Sequence, residues 1–257
     1  MCGPRVIARD WSMRCLVSLN ATQDQAYNPA YHVKLQGLVY ELLREAGYEF
    51  VHRERPFKFV TFSNVFPPED MAAGDGRTWI VASPNEGLVR SVAGVLDNRR
   101  LIQPGEQNYR VSNTAVFEIT PDQTGTMETG TPIIVRIPAG RCRRYGIENP
   151  KDYDDVYWRL EHPQDAFVKE IERNLAEKYR HYYDEEPPER PFFTDLESRK
   201  QVAIPLHYDD TLVETIGTTW NLSYECRTRP MYRLVKLAYS AGVGELNTTG
   251  FGFVNEK

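Results

Sequence analysis

One order of elements occurs twice along this 257-residue chain, and that order leaves few folds open to it. From Met13 the run MRCLVSL has strand character. Leu35, Leu38, Val39, Leu42 and Leu43 then recur at helical spacing, and their apolar face stops at Ala46-Gly47, where glycine suits a helix end. FKFVTFSNVF, Phe57 to Phe66, is rich in aromatic and β-branched residues and predicts a strand ending before Pro67-Pro68. TWIVAS, Thr78 to Ser83, predicts the next strand. Ser83-Pro84-Asn85-Glu86 predicts a helix start, with serine at the N-cap, proline at the first position and glutamate closing a capping box. Leu88, Val89, Val92, Val95 and Leu96 form the apolar face of that helix, and YRVSNTAVFEIT, Tyr109 to Thr120, reads as the strand that follows.

A loop rich in Thr and Gly, Thr120 to Gly130, is the expected domain boundary. Beyond it TPIIVRI predicts a strand, and Phe167, Val168, Ile171 and Leu175 mark a helix running through NLAEKYRHYY to the breaker EEPPERP. KQVAIPLHY and TLVETIGTTWNLSYE predict a pair of strands turning at Asp209-Asp210. Met231, Leu234, Val235 and Ala238 give a last helix, and GFGFV a last strand. Strand, helix, strand, strand, helix, strand is the split βαβ arrangement of a ferredoxin-like unit. The expected fold is therefore α+β, two tandem ferredoxin-like (RRM-like) domains over residues 13–122 and 131–257, with residues 1–12 as an N-terminal extension.

Composition narrows the function classes. No apolar run is long enough to cross a bilayer, so no membrane role is expected, and the first dozen residues lack a secretory pattern, so a cytoplasmic protein is expected. Four cysteines, at positions 2, 15, 142 and 226, show no CxxC spacing, and neither a metal site nor a disulfide framework is expected. No cofactor fingerprint such as GxGxxG follows the first strand. A net charge of −5 argues mildly against nucleic acid as a partner, but charge averages over faces. Arg136, Arg141, Arg143 and Arg144 crowd a stretch between Thr129 and Ile147 that holds no acidic residue. Alone, that stretch reads equally as a solvated loop or a phosphate contact.

YHVKLQGLVYELL, then VHRERPFKFVTFSN, TPIIVR, NLAEKY and finally the tail GVGELNTTGFGF succeed one another in the order seen in the CRISPR-associated endoribonucleases that cut repeat RNA out of a precursor transcript, within the RAMP superfamily. The chain resembles that family from Met13 onward. The resemblance implies metal-independent cleavage within the CRISPR repeat, leaving 2′,3′-cyclic phosphate and 5′-hydroxyl ends, with other effector-complex subunits as further candidate partners. It implies catalytic roles for His52, Tyr40 and Lys58. Such chemistry needs a base for the 2′-hydroxyl, an acid for the departing 5′-oxygen and a cation for the charged phosphorane. Histidine titrates near working pH and suits the proton transfers, and lysine offers a point charge with three donors. Tyr40 either orients the nucleophile or shares in proton transfer; its helical position lies well off the leucine stripe. His32, His162, His181 and His207 show no metal-site spacing and are expected to be structural or exposed.

The tail has its own physical logic. Gly242, Gly244, Gly250 and Gly252 admit positive φ and close backbone approach, so the loop can present amides to phosphate oxygens, with Asn247 adding a side-chain donor. The alternative is a tight connection in which glycine serves packing only. Family members use this loop against RNA, which makes Arg233 and Lys236 on the preceding helix, and Arg136, candidate RNA contacts. A RAMP-type subunit that holds guide RNA without cutting it is the competing function.

Overall fold

The computed structural model of the chain describes residues 11–48, 57–149, 151–208 and 211–257. Its first half runs β1 (Met13–Ala21), α1 (His32–Glu45), β2 (Thr61–Phe62), β3 (Gly76–Ser83), α2 (Glu86–Arg99), β4 (Leu101–Ile102) and β5 (Tyr109–Glu118). The sheet order is β2-β3-β1-β5-β4, antiparallel throughout. Setting the two-residue β4 aside, this is the expected ferredoxin-like order. Alternation along β1 sends Cys15, Val17 and Leu19 to one face, where the leucine stripe of α1 and Leu88, Val89, Val92 and Leu96 of α2 bury them.

The second half runs β6 (Thr124–Thr129), β7 (Arg136–Pro138), α3 (Ala139–Tyr145), β8 (Asp155–Tyr157), α4 (Gln164–Tyr183), β9 (Asp195–Tyr208), β10 (Thr211–Glu225), α5 (Arg229–Ala241), a 3₁₀ turn (Asn247–Thr249) and β11 (Val254–Glu256). Its sheet order, β11-β6-β10-β9, repeats the first, while β7 and β8 pair separately. Trp158, Phe167 and Trp220 stack at its centre, with centroids of Phe167 and Trp220 4.3 Å apart. The fold is α+β with two tandem ferredoxin-like units.

Five local expectations change. Phe57 to Phe66 contributes only β2 and a bridge from Phe66 to Thr78, because Phe59 takes φ +50° and leaves the extended region. Side chains replace the missing ladder: Ser63 Oγ accepts from the Ile80 amide and Tyr31 Oη from that of Val65, each at 2.9 Å. The N-cap of α2 is Asn85, whose Oδ1 accepts the Leu88 amide at 3.1 Å, while Ser83 Oγ accepts the amide of Asn85 itself. The segment expected as the connector holds β6, the opening strand of the second sheet. TPIIVRI makes bridges from Ile133 to Thr218 and from Ile134 to Glu245 before the short β7. GFGFV is irregular until β11 begins at Val254. The expected turn at Asp209-Asp210 lies outside the described residues.

The halves are stitched together. Arg14 of β1, 2% exposed, donates to the carbonyls of Tyr239 and Val254 at 3.0 and 2.5 Å and to Asn255 Oδ1 at 2.7 Å, and lies over the Phe253 ring. A third apolar cluster joins Ile134, Ile204, Leu206 and Phe251 to Val33 of α1 and Leu246 of the tail. Among the described residues no helix is long and apolar enough to cross a membrane.

Candidate active site and the glycine-rich loop

Helical spacing puts residues 32, 36 and 40 on one edge of α1, and that edge faces both the chain entering β2 and the glycine-rich tail. Lys58 Nζ donates to Tyr40 Oη at 3.1 Å and sits 4.8 Å from the Tyr40 ring centroid. Two of the three residues expected to do chemistry are thus brought together, both half-buried. Lys58 precedes β2 rather than lying within it, the positive φ of Phe59 turning the chain just after it. His52 lies outside the described residues.

Tyr40 is tied to the tail through Gln36, whose Nε2 donates to Tyr40 Oη at 3.4 Å and to Thr249 Oγ1 at 3.2 Å. One turn earlier His32 stacks on Phe251 at 4.7 Å and 21°. Burial pushes the His32 imidazole down to about 4, a hydrogen bond to the Thr249 backbone acting the other way. This histidine is buried, where the sequence left open a structural or an exposed place for it. Its folded pKa lies below the unfolded value near 6.5, so the unfolded chain takes up the proton first as pH falls. Stability is therefore full above pH 6.5 and drops as pH approaches 4, by about 3 kcal/mol from this group. In His32→Phe, which keeps the stack, the fall of Tm between pH 6.5 and 4 is expected to be shallower than in the native protein. Parallel Tm profiles would refute it.

The tail is built as a scaffold. Gly242, Gly244, Gly250 and Gly252 all take positive φ, between +66° and +86°. A Cβ on Gly244 would stand 2.7 Å from the Ile134 carbonyl oxygen, and one on Gly250 2.4 Å from the Phe62 ring. The expectation that these amides face phosphate meets a conflict at three of them. Gly242, Gly250 and Gly252 donate to the carbonyls of Ala238, Asn247 and Pro132 at 3.0, 3.0 and 2.8 Å. Among the described residues the Gly244 amide has no acceptor. Asn247 is also turned inward, its Nδ2 donating to the carbonyls of Val243 and Phe251.

Sequence reasoning missed the residue that gathers this loop. Lys178 of α4, 2% exposed, donates from Nζ to Asn247 Oδ1 at 2.6 Å and to the carbonyls of Gly242 and Gly244 at 2.8 and 3.0 Å. Burial draws its pKa down to about 7, Glu245 pulling it back up. The signal was present: Lys178 follows Ile171 and Leu175 at positions i+7 and i+3 on the buried stripe of α4.

The basic residues expected against RNA all have partners. Arg136 donates from Nε to Glu245 Oε2 at 2.7 Å and pairs with Asp155 at 3.4 Å. Burial lowers its pKa, but those carboxylates outweigh burial and hold it above the usual value. Arg233 pairs with Glu185 and lies 3.8 Å from the Tyr183 ring centroid. Lys236, nearly buried, donates to Glu118 of β5. A groove of about 330 Å³ beside the loop is lined by Phe57, Arg136, Arg141, Arg173 and Gly244, but Asp155, Glu170, Glu177 and Glu245 line it too. Phosphate entering there has to displace carboxylates from arginine. Arg143 and Arg144 on α3 are exposed.

The family model for "CRISPR associated protein Cas6, C-terminal" matches residues 116–256, more than half the chain. A "CRISPR-associated endoribonuclease Cas6" of Haloferax mediterranei is 31% identical over 95% of this chain and 93% of its own length. "CRISPR-associated endoribonuclease Cas6 2" of Methanocaldococcus jannaschii is 29% identical over 95% of this chain and 99% of its own. A solved structure described as "CRISPR associated protein Cas6" superposes with a TM-score of 0.71 at 21% identity, covering 96% of this chain and 99% of that one, a likeness of fold. On the family match and the near full-length identity, the chain belongs to the Cas6 family of CRISPR-associated proteins.

Proposed function

We propose that this protein is an endoribonuclease that processes CRISPR RNA by cutting within the repeat, without a metal ion. The curated relatives are named endoribonucleases, and the observation that carries the chemistry is the Lys58 ammonium 3.1 Å from Tyr40 Oη on the edge of α1. In the proposed reaction the 2′-hydroxyl loses its proton and its oxygen bonds to phosphorus. The bond from phosphorus to the 5′-oxygen then breaks, and that oxygen takes up a proton. The products are a 2′,3′-cyclic phosphate and a 5′-hydroxyl. His52 carries the proton transfers, Tyr40 orients the nucleophile or shares in them, and Lys58 stabilises negative charge on the phosphorane.

For RNA binding, the proposal assigns direct contact with the tail to Gly244, whose amide is the one among the four tail glycines with no acceptor among the described residues. Arg136, Arg233 and Lys236 would join it only by exchanging carboxylates for phosphates, and the exposed Arg143 and Arg144 meet phosphate without such an exchange. The other tail glycines shape the surface rather than donate to it.

The test is incubation of purified protein with its cognate repeat RNA in EDTA, with end-group analysis of the products. Cleavage at one position in the repeat, with cyclic phosphate and 5′-hydroxyl ends, is the expected result. Dependence on magnesium, or 5′-phosphate ends, would sink the mechanism. Tight binding with no cleavage would favour a guide-holding subunit instead.

A further inference from the structure

We propose that the glycine-rich loop positions Tyr40 for the reaction, acting through the hydrogen bond between Thr249 and Gln36. The inference rests on the proposed participation of Tyr40 in cleavage. A glutamine amide has two N–H donors, and Gln36 divides them between the halves of the molecule, one to Thr249 Oγ1 at 3.2 Å and one to Tyr40 Oη at 3.4 Å. Lys58 supplies a second donor to the same phenol oxygen at 3.1 Å. Two donors on one hydroxyl oxygen dictate where its own O–H points, which is away from both. Among the described residues the direction of the Tyr40 proton is therefore set from two sides, one of them the tail.

The loop is rigid enough to serve as that reference point. Lys178 gathers the carbonyls of Gly242 and Gly244 and the side chain of Asn247, the residue that opens the 3₁₀ turn carrying Thr249. Thr249 is 2% exposed, and its amide donates to the Leu246 carbonyl at 2.9 Å. Glycine at 250 lets the turn seat directly on Phe62 of β2, where any Cβ would collide. His32, stacked on Phe251, fixes the start of α1 against the same turn. Internal hydrogen bonding of the Gly242, Gly250 and Gly252 amides belongs to the same design: a loop stiffened from within transmits its position to whatever is bonded to it. Gln36 and Thr249 are thus positioning residues and touch no reacting atom.

The experiment compares Gln36→Met, near in shape but without a donor, and Thr249→Val with the native protein, and repeats Gln36→Met in a Tyr40→Phe background. Single-turnover cleavage, affinity for a repeat RNA carrying a 2′-deoxy scissile nucleotide, and Tm are measured. Loss of one aligning hydrogen bond is expected to lower the cleavage rate about tenfold in Gln36→Met, and severalfold in Thr249→Val. RNA affinity is expected to stay within about twofold, and the effect of Gln36→Met to vanish once the Tyr40 hydroxyl is gone. An unchanged rate, a loss of affinity that accounts for the whole effect, or an equal loss in the Tyr40→Phe background overturns the inference. If the native protein cleaves no repeat RNA, the endoribonuclease reading fails by itself. The inference is then decided by a crystal structure of Gln36→Met: displacement of the Tyr40 ring from Lys58 supports it, and an unmoved ring overturns it.

Discussion

Cleavage of repeat RNA by His52→Ala is expected to be slower than that of the native protein by about two to four orders of magnitude, the usual contribution of one positioned acid or base. Affinity for the uncleaved RNA is expected to stay nearly unchanged. The size follows from the division of labour in the proposed reaction. Lys58 and Tyr40 can hold charge and geometry, but a proton must leave the 2′-hydroxyl and another must reach the 5′-oxygen near neutral pH. Histidine is the side chain whose ordinary pKa suits both transfers. Lys58→Met removes the cation proposed to stabilise the phosphorane and is expected to cost about a hundredfold or more. Because the residues act on one transition state, the double variant is expected to be far less impaired than the product of the single losses. Undiminished cleavage in His52→Ala would assign the proton transfers elsewhere, and added imidazole that restores part of the rate would confirm the assignment.

The largest effect on stability is expected at Gly252, and Gly146 provides its control. Both glycines occupy the same backbone region, at φ +66° and +67°. An alanine at either position pays for the left-handed conformation, about 1 kcal/mol. At Gly146, the C-cap of α3, an added Cβ meets nothing within 4 Å, so that cost stands alone. At Gly252 the same atom would lie 1.9 Å from the Val243 carbonyl oxygen and 2.9 Å from Asn247 Nδ2. The Val243 amide is already bonded to the Gly252 carbonyl at 2.9 Å, so the two strands of the loop cannot part without breaking that pair. Urea unfolding is expected to show Gly252→Ala destabilised by about 3 kcal/mol or more. Gly146→Ala should lose about a third as much. Equal midpoints for the two variants would mean that the close approach in the tail is not what glycine provides there.

Segments whose apolar residues sit on one face are legible in the sequence. The leucine stripe of α1, the Phe167 to Leu175 stripe of α4 and the alternation in β1 each specify both the element and the face it buries, because hydrophobic burial follows local period. Where the ladder or the cap is completed by a distant or unexpected side chain, local period misleads. β2 is short because Phe59 leaves the extended region, and Ser63 Oγ and Tyr31 Oη take hydrogen bonds that a longer strand would have made through its backbone. β6 is hidden in a Thr-Gly stretch because Met127 is its one large apolar residue, and Gly125 is small to admit Tyr224, whose Oη would lie 2.6 Å from a Cβ there.

By itself, then, the sequence determined the elements that carry an apolar stripe or alternation, the twofold plan, the family and the residue types available for the proposed cleavage. Tertiary structure alone decided which of those residues meet and which charges are already spoken for. Tyr40 and Lys58 come together across 18 residues, Gln36 reaches Thr249 across 213, and Lys236 finds Glu118 across 118. The glycine-rich tail, legible as a loop able to offer amides, has most of those amides bonded inward and its carbonyls gathered by a buried lysine from another helix. The physical reason is the same in each case. Local sequence sets conformation through period and sterics, whereas the pairing of a donor or a charge depends on what the folded chain brings within about 3 Å of it.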